Sequence, residues 1–81
     1  MYIRIGNLPP DTTVEEIREL VGDSPEFQDI KISDSGNADN VIAFLQVETT
    51  HAGAEAIAEV INDSFYKERR LNAFAMTLMN E

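Results

Sequence analysis

The spacing of the apolar residues changes along this chain, from a period of two to about 3.6 and back, and that order of periods constrains the fold more than any other feature. Tyr2-Ile3-Arg4-Ile5-Gly6-Asn7-Leu8 alternates, with Ile3 and Ile5 on one face and Tyr2, Arg4 and Gly6 on the other, which predicts a strand with one buried side. Pro9-Pro10-Asp11-Thr12 cannot continue it. Thr13, with Glu16 three residues on, has the spacing of a capping box, in which each side chain satisfies a backbone donor that the helix leaves orphaned. From there Val14, Ile17, Leu20 and Val21 share a helical stripe, and Gly22 is placed to close it in a left-handed conformation. After a turn at 23–26, Phe27, Ile30 and Ile32 predict a second strand that begins with a local irregularity. A polar loop, Asp34 to Asn40, then joins it to a third strand, Val41 to Glu48, with apolar residues on both faces as a central strand requires. Thr50 caps a second helix running to Ile61, its inner stripe being Ala54, Ile57, Ala58 and Ile61. A connector over Ser64 to Arg70 leads to a last strand, Leu71 to Leu78.

The predicted order is β-α-β-β-α-β, the split βαβ or ferredoxin-like unit. The expected fold class is α+β: a sandwich in which a four-stranded antiparallel sheet carries two helices on one face, with the first and third strands central. The other face stays open. By alternation that open side receives Tyr2, Phe44 and Phe74, three aromatic rings that a soluble domain does not display without a use or a cover. Residues Met79 to Glu81 would make a poor lid.

Composition removes several alternatives. Fifteen Asp and Glu against six Lys and Arg give a net charge of -9. Such a chain repels bulk polyanions, so any nucleic-acid contact has to come from local charge on one face. The absence of cysteine excludes disulfides, thiol nucleophiles and thiolate zinc sites, and the single His51 cannot build a multi-histidine metal centre; no metal or cofactor is expected. No apolar run approaches the roughly 20 residues that span a bilayer, and Met1 leads directly into the first strand without the pattern of an export signal. One domain over 1–81, in the cytoplasm and away from membranes, is the resulting expectation.

Ile3-Arg4-Ile5-Gly6-Asn7-Leu8-Pro9 resembles the first-strand signature of the RNA recognition motif family, aliphatic-aromatic-aliphatic-Gly-Asn-Leu-Pro, with Arg4 where the family has a base-stacking aromatic. The helix Thr13 to Leu20, and Ile61-Asn62-Asp63 followed by Arg69-Arg70-Leu71, resemble the corresponding parts of that family. The third-strand signature falls on Asn40 to Val47. Ala43, Phe44 and Leu45 fit it; Asn40 replaces the phosphate-binding cation, Val41 the glycine, Ile42 a stacking ring and Val47 the last aromatic. Of three family stacking positions only Phe44 keeps its ring. On the scale of about 1 to 3 kcal/mol per stack, two losses cost about 2 to 6 kcal/mol if they add.

What the resemblance implies is single-stranded RNA or DNA binding on the open sheet face, weak and salt-sensitive. Phe44 is the expected stacking ring; by alternation, and not by any match to the family's motif, Tyr2 and Phe74 extend the platform, and Arg4 and Lys31 are placed to contact phosphate or base edges. Gln46 and Asn72 are placed to read base edges, and Ile42 lies among them. The alternative is a protein-interaction or homodimerisation surface centred on Tyr2, Ile42, Phe44, Phe74 and Met76, since Ile42 and Met76 offer area without a π face. Lys67-Glu68-Arg69-Arg70 is the one basic cluster, more readily a solvated connector than a phosphate site. Acylphosphatases of this topology need a Gly-rich first loop followed by a catalytic Arg, and metal chaperones need paired cysteines. Neither is present, and no residue is expected to be catalytic.

Overall fold

The computed structural model describes residues 1–22, 27–34 and 39–77. The expected turn at 23–26, the middle of the 34–40 loop, Leu78 at the end of the last strand and Met79 to Glu81 lie outside them. The elements are β1 (Tyr2–Leu8), α1 (Val14–Val21), β2 (Phe27–Ser33), β3 (Val41–Val47), α2 (His51–Ile61), the short pair β4 (Phe65–Tyr66) and β5 (Arg69–Arg70), and β6 (Asn72–Met76). The sheet runs β2-β3-β1-β6 with antiparallel neighbours throughout, so β1 and β3 are central as expected. Both helices lie on one face, where Ile17 of α1 and Ala54, Ala58 and Ile61 of α2 meet Ile3, Ile5, Ala43, Leu45 and Ala73 from the strands. Ile3, Ile5, Ile17 and Leu45 are wholly buried there.

Local sequence accounts for the element ends. The Thr13 hydroxyl accepts from the Glu16 amide while the Glu16 carboxylate accepts from the Thr13 amide, so the predicted capping box is formed. Thr50 Oγ1 likewise accepts from the Gly53 amide at 3.1 Å. Gly22 ends α1 at φ +80° and ψ +132°, so the positive φ that suits glycine is present but the left-handed helical closure expected there is not. The irregularity foreseen in the second strand is a register shift between Phe27 and Asp29. A second shift, between Ile5 and Leu8, places Asn7 at φ +65°, with its side-chain amide donating to the Arg70 carbonyl at 2.9 Å. Asn7 is thus structural, tying β1 to β5.

The last strand is shorter at its start than expected: Leu71 precedes β6 and is fully buried. The connector before it holds a hairpin that the sequence did not announce. Phe65 pairs with Arg70 and Tyr66 with Arg69 across a two-residue turn, Lys67-Glu68, in which both residues have positive φ, 49° and 68°. That turn is anchored on α1. Glu16 Oε2 accepts from Lys67 Nζ and, at 2.9 Å, from the Tyr66 hydroxyl. The Lys67 hydrogen bond, followed by the Thr13 backbone and Tyr66, holds the Glu16 carboxyl at about 2, below the ordinary 4.5. Burial first and Glu16 second push the Tyr66 phenol up.

Candidate nucleic-acid interface

The strand registers turn the open face into a grid, three rows deep and four strands wide. Across β2, β3, β1 and β6 the first row is Asp29, Gln46, Tyr2 and Met76; the second is Lys31, Phe44, Arg4 and Phe74. The third holds Ser33 and Ile42 on one side and Gly6 and Asn72 on the other, separated by the bulge in β1. All the residues expected to share this face do so. The middle row alternates cation and ring from one sheet edge to the other.

Exposure divides the two rings of that row. Phe74, on the edge strand, is 49% exposed, and the Arg4 guanidinium lies 5.4 Å from its ring centroid, within cation–π range. Phe44 is 2% exposed. It sits on a central strand with Lys31 and Arg4 as its lateral neighbours, and long side chains of this kind lay their apolar stems over adjacent surface. The expectation that Phe44 presents an open ring is therefore corrected: alternation assigned its face, but the ring is closed there. The accessible ring is the one on β6.

Polar groups around the pair are placed by the same register. Asn72 lies opposite Gly6, and a Cβ built on Gly6 would stand 2.6 Å from Asn72 Oδ1. The missing side chain is what lets the carboxamide lie against β1, a relation that sequence alternation alone does not reveal. Gln46 and Tyr2 are partly exposed and adjacent. Asp29 Oδ1 accepts from the Ile30 amide at 3.0 Å, and Glu48 accepts from Gln28, so both acids are engaged locally. The basic cluster is elsewhere and occupied: Lys67 binds Glu16, Arg69 reaches the Leu8 carbonyl, and Arg70 lies over Phe65.

For the apolar alternative, Tyr2, Ile42 and Met76 are partly buried and Phe44 is closed, leaving Phe74 as the one well-exposed apolar side chain of that set. Among the described residues no group of three His, Asp or Glu is placed to hold a metal, and His51 pairs with Glu55 on α2. No helix among them is long and apolar enough to cross a membrane.

The model of the RNA recognition motif matches residues 3–72. The chain belongs to the RNA recognition motif family. Solved RNA recognition motifs share its fold. It superposes on Pes4 RRM3 with a TM-score of 0.79 at 20% identity, covering 99% of this chain and 95% of that one. The Rna15 RRM, whose structure contains bound RNA (GU), gives 0.74 at 16% identity over 99% and 86% of the two chains. Mip6 RRM3 gives 0.73 at 21% identity over 89% and 87%. No curated protein sequence matches. As an RNA recognition motif, this one carries an arginine on β1 and an isoleucine on β3 at two family stacking positions, and the exposed ring of its middle row on β6.

Proposed function

We propose that this RNA recognition motif binds single-stranded RNA on its open sheet face, with the Arg4–Phe74 pair as the principal contact. The observation that carries the reading is that pair: an exposed ring with a guanidinium 5.4 Å from its centroid, on strands held in fixed register. A base can stack on Phe74 or on the guanidinium plane, and the same arginine can meet a phosphate. Lys31 supplies a second cation across the row, and Asn72, Gln46 and Tyr2 supply hydrogen-bonding groups beside it. Phe44 supports the row from below the surface. The Rna15 RRM with RNA bound supports the ligand class. We read residues 1–81 as one binding domain without catalysis, suited to the cytoplasm, with single-stranded DNA as a further ligand of the same face.

The test is an amide-resolved NMR titration with a pool of short single-stranded RNA at low and at physiological salt. Shifts are expected at Tyr2, Arg4, Asn72 and Phe74, shrinking as salt rises. Phe74→Ala should weaken binding about 5- to 150-fold, the equivalent of about 1 to 3 kcal/mol for a stacked base. Absence of shifts, with linewidths that grow with protein concentration, would replace this reading by self-association.

A further inference from the structure

The strand order leaves β6 at an edge, and the hydrogen bonding shows which of its backbone groups face outward. The Ala73 amide donates to Asn62 Oδ1 at 3.0 Å, away from β1. Because alternate residues of a strand direct both backbone groups to the same side, Ala73 and Ala75 face the edge while Phe74 turns its groups to β1. Beside that edge runs an open cleft of about 250 Å³, lined by Glu55, Ala58 and Glu59 of α2, by Asn62 at its C-cap, and by Ala73, Phe74 and Ala75. Three alanines line it beside Asn62 and Phe74, with two exposed glutamates on the rim.

The spacing of those glutamates is that of a strand. Residues four apart on a helix are separated by about 6 Å along its axis, and residues two apart on a strand by about 6.8 Å. A chain segment added antiparallel to β6 would turn alternate side chains toward α2, on the Ala73 and Ala75 side, and the intervening ones toward Phe74. We propose that this edge is a docking site for an extended segment of another protein with the pattern basic-apolar-basic. Its two cations reach Glu59 and Glu55, and its apolar side chain packs on the outer flank of Phe74. Backbone bonds form with Ala75 and the Ala73 carbonyl, and Asn62 stops the added strand by holding the Ala73 amide. Charge selects the occupant: the rim is acidic on a chain of net charge -9, which favours a basic segment over a second copy. Glu55 also meets His51, an exposed contact within one helix turn that an incoming lysine can replace at little cost.

The probe is a capped peptide of alternating Lys and Val, titrated into the full chain and followed by amide shifts. Three controls accompany it: a peptide of equal charge with its lysines and valines in separate blocks, an N-methylated version of the alternating peptide, and the Glu55→Gln/Glu59→Gln variant. The expected result is shifts at Asn62, Ala73 and Ala75 that the alternating peptide alone produces, with affinity falling about 2- to 30-fold in the double variant. Equal binding by the blocked peptide would reduce the effect to bulk charge and overturn the proposal. So would edge shifts that follow protein concentration without peptide, since the occupant would then be a second copy. RNA shifts centred on Tyr2 and Arg4 report the sheet face and peptide shifts at Asn62, Ala73 and Ala75 report the edge, so the two readings fail separately although Phe74 borders both.

Discussion

Asn72 owes its position to what Gly6 lacks. Gly6→Ala would bring a Cβ to 2.6 Å from Asn72 Oδ1, and because that atom ends a movable side chain, the carboxamide gives way before the backbone does. The expected outcome is a small change in stability with a measurable loss of RNA affinity, read by thermal unfolding beside the titration; unchanged affinity would remove Asn72 from the interface. Phe44 shows where single-residue reading from sequence stops. Its place at an alternating position gave the correct face, since pleat geometry fixes that with little help from anything distant. Its burial is a tertiary property that alternation does not carry, and even its lateral neighbours Lys31 and Arg4, 13 and 40 residues away in the chain, are brought alongside only by strand pairing. Phe74 has the same alternation signal and the opposite exposure because β6 has one neighbour where β3 has two.

At the scale of elements, long periodic segments were legible and short ones were not. Strands β1 and β3 and both helices follow from four or more apolar positions or from caps whose chemistry is local, Thr13 with Glu16 and Thr50 with Gly53. The β4–β5 hairpin has neither signal. Its turn places positive φ on Lys67 and Glu68, where hairpins of two-residue turns favour Asn-Gly, so nothing in the residue types announces it. Tertiary contact with Glu16 helps hold what propensity does not. That contact is testable by pH. The folded state keeps Glu16 ionised down to about 2, while an unfolded chain protonates it near 4.5, so between these values the unfolded state binds more protons. Its contribution is therefore fully present above the unfolded value and disappears as pH falls toward about 2. Denaturant titrations at pH 6, 4 and 2.5 should show a smaller acid loss in Glu16→Gln than in the unaltered chain; parallel curves would mean the anchor is not formed in solution.

For the molecule as a whole, a charge of -9 and a face with two cations set opposite responses to salt. Self-repulsion among the acids weakens with screening, so the fold should gain stability as salt rises. RNA affinity should fall over the same range. If Arg4 and Lys31 both neutralise phosphates, the logarithm of affinity declines against that of salt with a slope of about -1.4, and about -0.7 if Arg4 serves only for stacking. A steeper slope in fluorescence-anisotropy titrations would show that cations outside the sheet face take part. The two oxygens of Glu16 carry one further consequence, for the order in which the chain folds. Oε1 completes a cap within three residues, whereas Oε2 waits for partners 50 and 51 positions later. The first can form in a nascent helix; the second requires the whole intervening sheet. Thr13→Ala should accordingly slow refolding if α1 belongs to the nucleus, while Tyr66→Phe leaves refolding unchanged and quickens unfolding, a division that stopped-flow kinetics on the two variants would resolve within one carboxylate.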